Sequence, residues 1–166
     1  MPLIDPGHKA PAFSLNDQLN AKHKLSDYAG RPLVLYFYPK DDTPGCTKET
    51  CAFRDSLPQF QKLKGAVLGV SVLDEVSKAR FAAKYDVTFP LLADKNHAVS
   101  EKYGAWQEKS NYGKTYMGIV RTTYLIGADG KVIRRWDRVK VDGHVEEVLE
   151  ELKAIGHRPQ AKGRST

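Results

Sequence analysis

The chain has 166 residues, 41% hydrophobic and 28% charged, which excludes a disordered polymer and fits a soluble globular protein with a full core. No apolar run approaches the roughly 18 residues that span a bilayer, and residues 1–8 hold no apolar secretory core, so a cytoplasmic protein without a membrane partner is expected. The net charge of +6 raises nucleic acid as a partner, but Arg158, Lys162 and Arg164 supply three of those charges from one acid-free terminal stretch. The remaining +3 is interspersed with acids, and no nucleic-acid partner is expected.

Residues 1–157 read as one domain, followed by a basic flexible tail at 158–166. Residues 33–38 form a continuous apolar, β-prone run of the kind buried on both faces of a sheet. Pro39 ends it, because proline lacks the N–H that a central ladder needs. A helix is predicted from about Gly45, with Phe53, Leu57 and Phe60 on one stripe. Pro58 is predicted to kink or restart that helix, with Ser56 as a new cap. Residues 66–72 read as a second buried strand and complete a parallel β-α-β unit. A helix at 75–85, a short strand at 89–93 and a short helix at 97–103 follow. Residues 122–126 and 131–136 flank Gly127-Ala128-Asp129-Gly130, a hairpin signal. In the last helix Val145, Val148, Leu149, Leu152 and Ile155 share one stripe, with Asp142 as cap and Gly156 at the end. That order predicts an α/β protein of thioredoxin-like fold, a central mixed β-sheet flanked by helices, with an N-terminal extension. The late hairpin argues against a flavodoxin-like parallel sheet.

The chemistry concentrates in Pro39-Lys40-Asp41-Asp42-Thr43-Pro44-Gly45-Cys46-Thr47-Lys48-Glu49-Thr50-Cys51, which holds both cysteines of the chain. Cys46 follows a turn-forming Thr-Pro-Gly and is expected at an exposed loop–helix junction, where free backbone N–H groups and the helix dipole favour a thiolate. Thr43 can donate a hydroxyl hydrogen bond to the sulfur or to a bound oxygen. Cys51 is near in sequence, yet five residues of α-helix separate Cα atoms by about 8 to 9 Å. A disulfide needs about 4.4 to 6.8 Å, so the helix has to unwind for the two to join. Thr47 and Thr50, weak helix formers, ease that step. A static staple closing so short a loop would stabilise little. A metal site would need histidines, but His8, His23, His97, His144 and His157 are scattered without ligand spacing. A general thiol–disulfide oxidoreductase is the alternative, although its usual spacing leaves two residues between cysteines and this chain leaves four.

Pro39-x-x-x-Thr43-x-x-Cys46 resembles the active-site signature of the peroxiredoxins. The longer run through Cys51 is similar to the bacterioferritin comigratory protein or peroxiredoxin Q subfamily. Residues 117–126, preceded by Gly113-Lys114-Thr115-Tyr116, look like that family's later arginine segment around Arg121. The resemblance implies an atypical 2-Cys thiol peroxidase that reduces hydrogen peroxide and organic hydroperoxides without metal, haem or flavin. Cys46 would become a sulfenic acid, and Cys51 would resolve it to an intramolecular disulfide. Thr43 and the Cys46 N–H would hold the peroxide, Pro39 would shield the site, and Arg121 would favour the thiolate and stabilise charge in the O–O cleavage. Glu49 would orient Arg121 or stand as a solvated helix carboxylate. Thioredoxin or a similar dithiol protein would be the reductant, and the protein a monomer or weak homodimer. Two departures stand out: Leu73 replaces a frequent aspartate and Lys78 a frequent histidine, and both are expected to affect only surface or partner detail.

Overall fold

The structure, a computed structural model, describes residues 2–157; the tail predicted at 158–166 lies outside the described residues. Two short antiparallel strands, β1 (Ser14–Asn16) and β2 (Lys22–Lys24), precede the main sheet. At its centre lies β3 (Leu33–Phe37), buried at every position because it is covered on both faces and both edges. It pairs in parallel with β4 (Ala66–Ser71), which pairs in parallel with β5 (Leu91–Ala93). The hairpin β6 (Trp106–Asn111) and β7 (Lys114–Ile119) stands apart as its own two-stranded sheet. On the other edge β3 pairs antiparallel with β8 (Thr122–Ile126), and β8 with β9 (Val132–Trp136). The five-stranded order β5-β4-β3-β8-β9 is therefore a mixed sheet of the expected thioredoxin-like kind.

Alternation along β3 divides the core in two. Val34 and Tyr36, with Tyr38 beyond the strand, face a layer that includes Cys46, Phe53, Phe60, Phe81, Leu149 and Leu152. Those residues come from α1 (Pro44–Lys62), α2 (Glu75–Tyr85) and α4 (His144–His157). Leu33, Leu35 and Phe37 face the opposite layer of Phe13, Val99, Tyr103 and Tyr124, to which α3 (Ala98–Lys102) contributes. No helix among the described residues is long and apolar enough to cross a membrane.

Several boundaries differ from expectation. Pro58 neither ends nor restarts α1, which runs unbroken from Pro44 to Lys62. Phe53 and Phe60, fully buried on either side of Pro58, hold the helix against the sheet across the missing backbone bond. Asp142 does not cap α4: its carboxylate is paired with Lys48, and the first turn is closed by the Glu147 N–H donating to the Gly143 carbonyl at 3.2 Å. The helix also runs one residue past Gly156. The β6–β7 hairpin and the β1–β2 pair escaped the sequence reading because most of their residues face solvent, which removes the apolar alternation. A cue was present in Tyr112-Gly113, both at positive φ (52° and 78°) as a two-residue hairpin turn requires.

Gly69 of β4 lies in register with Tyr36 of β3, and a Cβ there would stand 2.8 Å from the Tyr36 ring. Gly69→Ala is expected to lower stability by about 1–3 kcal/mol through overpacking. Urea unfolding checks this; an unchanged midpoint would mean that Tyr36 can move aside.

Candidate active site

The site forms where residues 39–43 lead from β3 into α1. Thr43 is the N-cap in extended conformation, and Pro44 takes the first helical position, where its missing N–H costs nothing. The first bond of the helix runs from the Thr47 N–H to the Thr43 carbonyl at 2.8 Å. The N–H groups of Gly45 and Cys46 thus precede the hydrogen-bonded ladder and sit at the positive end of the helix.

Cys46 is only 1% exposed. The expected exposed junction is therefore wrong, because the third residue of α1 turns inward to the layer that holds Tyr36 and Phe53. Arg121, in the link between β7 and β8, reaches it from the other side. One guanidinium nitrogen, Nη2, lies 3.5 Å from the Cys46 Sγ, and the other, Nη1, donates to the Glu49 Oε1 at 2.6 Å. Burial works against the charge of Arg121, but Glu49 and then Cys46 more than offset it and hold the guanidinium above its ordinary value. The Arg121 backbone is fixed too, its carbonyl accepting the Val139 N–H at 3.0 Å. Gly45 leaves room for this approach, since a Cβ there would be 3.1 Å from Nη2.

Glu49 is fully buried and not a solvated helix carboxylate. Its Oε2 has no hydrogen-bond partner among the described residues. Burial pushes the carboxyl up to about 7, against the pull of Arg121. Lys109 of β6 is a cation that the sequence reading missed along with its hairpin. Its ammonium donates to the Ile119 carbonyl at 2.9 Å. Burial and then Arg121 lower its proton affinity, while Cys46 raises it. Gly118 makes space for it, because a Cβ there would lie 3.2 Å from the Lys109 Cδ. His144 accepts or donates a 2.8 Å bond with Thr123 and is held down at about 4 by burial and by Arg121 and Arg134, so it stays neutral.

The other motif residues are placed as follows. Pro39 is half-buried at the start of the loop. The Thr43 hydroxyl donates to the Lys40 carbonyl at 2.9 Å and not to the sulfur, because the loop turns back on itself there. Its oxygen lone pairs remain as acceptors. Cys46 and Cys51 are both free thiols within one continuous helix, and Cys51 is half-buried. Among the described residues no group of three or more His, Cys, Asp or Glu could hold a metal.

Two measurements probe this geometry. Between the ordinary value of 4.5 and about 7, folded Glu49 keeps a proton that the unfolded chain has released. Its contribution therefore makes stability fall as pH rises through that window and stay level above it. Glu49→Gln is expected to remove that slope, read as the difference between the two proteins in urea unfolding from pH 5 to 8. Gly45→Ala is expected to fold normally but to displace the guanidinium, slowing the alkylation of Cys46 by iodoacetamide several-fold.

The AhpC/TSA family model matches residues 6–135. Peroxiredoxin Bcp of Bacillus subtilis is 44% identical over 93% of this chain and 99% of its own. Peroxiredoxin Bcp of Escherichia coli is 44% identical over 90% and 96%. Among solved structures, the bacterioferritin comigratory protein of Xanthomonas campestris superposes with a TM-score of 0.85 at 39% identity, over 91% of this chain and 99% of that one. A PrxQ cysteine mutant from Xylella fastidiosa reaches 0.89 at 38% identity, over 95% and 100%. Because the likeness runs through nearly the whole chain in both sequence and fold, the chain belongs to the AhpC/TSA family as a peroxiredoxin, an enzyme that reduces peroxides.

Proposed function

We propose that Cys46 is the residue that attacks the peroxide, Cys51 the residue that resolves it, and Thr43 and Arg121 the groups that hold and polarise the substrate. The observation that carries this reading is the Arg121 guanidinium, 3.5 Å from the Cys46 sulfur and braced by buried Glu49. The guanidinium favours negative charge on the sulfur and is in place to meet charge that develops on the peroxide oxygens. The peroxide O–H donates to the Thr43 oxygen, and the free Cys46 N–H donates to a peroxide oxygen. Pro39 keeps water from this corner.

In the first step the Cys46 thiolate attacks one peroxide oxygen, a new S–O bond forms and the O–O bond breaks. The departing hydroxide or alkoxide takes a proton, leaving a sulfenic acid and water or an alcohol. In the second step the Cys51 thiol attacks the sulfenic sulfur, and a disulfide forms with loss of water. A dithiol reductant, thioredoxin or a similar protein, then exchanges with the disulfide and returns both thiols. Hydrogen peroxide and small organic hydroperoxides are the substrates in this reading; alkyl peroxide reduction is the named activity of the Xanthomonas relative. The protein would act in antioxidant defence in the cytoplasm, as a monomer or weak homodimer.

Stopped-flow mixing of the reduced protein with hydrogen peroxide tests the assignment. The parent is expected to react orders of magnitude faster than free cysteine, and Cys46→Ser not to react. Cys51→Ser is expected to keep the first oxidation while losing thioredoxin-linked turnover. Full turnover in Cys51→Ser would remove it as the resolving residue.

A further inference from the structure

Lys78 lies on α2, outside the active-site motif. The expectation that it affects only the surface fails, for its side chain is entirely buried. The ammonium lies 3.3 Å from each Asp41 carboxylate oxygen, 2.6 Å from the Ser71 Oγ and 3.4 Å from the Tyr38 Oη. Asp41 in turn accepts hydrogen bonds from Tyr38 at 2.6 Å and Ser77 at 2.7 Å. Asp41 is itself buried and belongs to the loop that ends at Thr43. The next residue, Asp42, sits in the left-handed region at φ 58° and is bound by Lys84 at 2.9 Å and Tyr85 at 2.7 Å. Consecutive acids thus fasten the loop to α2 at two points, two helical turns apart.

A gain in stability does not account for the buried pair. Removing two charges from water costs several kcal/mol per ion, and apolar replacements of such pairs are often neutral or stabilising. What the pair does supply is a fixed position. From Asp42 the chain passes directly into Thr43, whose hydroxyl closes onto the Lys40 carbonyl at 2.9 Å, and then into the free N–H groups of the first turn. We propose that Lys78 is a positioning residue for peroxide reduction: through its buried pairing with Asp41 it fixes the loop that presents Thr43 and the first turn of α1 to the peroxide. This rests on the reading of Cys46 and Thr43 given above. The fastening lies upstream of the segment between the two cysteines, so it governs the oxidation step and leaves the joining of Cys46 to Cys51 untouched.

The test compares the parent with Lys78→Met by stopped-flow oxidation with hydrogen peroxide, and by quenching samples for intact-protein mass to follow the disulfide. Lys78→Met is expected to lower the second-order oxidation rate at least tenfold, since misplacement by about 1 Å can cost about 10²-fold. The rate of disulfide formation and the kcat/KM for the reductant should stay within twofold of the parent. An oxidation rate within threefold of the parent in a folded variant would overturn the proposal, as would an equal slowing of both steps. If Lys78→Met does not fold, the double variant Asp41→Asn/Lys78→Met, which leaves no lone buried charge, is read by the same criteria. Slow oxidation of the parent itself would instead count against the reading of Cys46.

Discussion

A guanidinium with 15% of its side chain exposed needs anions close by, because an unmatched buried charge costs several kcal/mol. Arg121 finds the Glu49 carboxylate on α1 at 2.6 Å, and the Cys46 sulfur of the same helix lies 3.5 Å away. The rest of the site follows from that match. The link between β7 and β8 must come down onto α1, residue 45 must have no side chain, and the Val139 N–H must hold the arginine backbone. The β6–β7 hairpin then carries Lys109, whose ammonium is held on the Ile119 carbonyl at 2.9 Å, two residues before Arg121.

The same helix imposes a conflict. Between the two cysteines lie Glu49 and Thr50, both fully buried, and the Thr50 hydroxyl bonds the Tyr36 hydroxyl at 2.9 Å. The arrangement that sets Cys46 against Arg121 is the one that keeps it from Cys51. In the proposed cycle the chain leaves one arrangement for the other and gives up these bonds, each worth about 0.5–1.5 kcal/mol net. Glu49, a buried carboxylate with one oxygen unpartnered among the described residues, is a weak point in an otherwise well-packed turn.

Much of this could be read from the residues alone. The central strand is a continuous apolar run, the late hairpin carries a turn signal and the last helix an apolar stripe, and the structure has an element at each, as it has a helix at 75–85. The motif also placed Pro39, Thr43 and Cys46 together at one loop–helix junction. What it did not convey depends on partners distant in sequence. Cys46 is buried because the sheet and Arg121 cover it, and Lys78 because Asp41 and Ser71 receive it. A lysine within a polar helix stretch carries no local sign of such a partner. The β6–β7 hairpin was hidden for the opposite reason: it is exposed, so its strands show no alternation. Pro58 shows local propensity overruled by tertiary packing on Phe53 and Phe60.

Strand β3 has a further consequence during synthesis. Its partner on one edge, β4, begins at Ala66, but the other edge waits for β8, whose Thr122 pairs with Phe37. At about 5–20 residues per second, the ribosome needs roughly 4 to 17 s to make the intervening stretch. Throughout that interval the most apolar segment of the nascent chain presents an open strand edge, a template for pairing with other chains. The central strand of the finished enzyme is thus the segment most open to wrong pairing while the polypeptide is still being made.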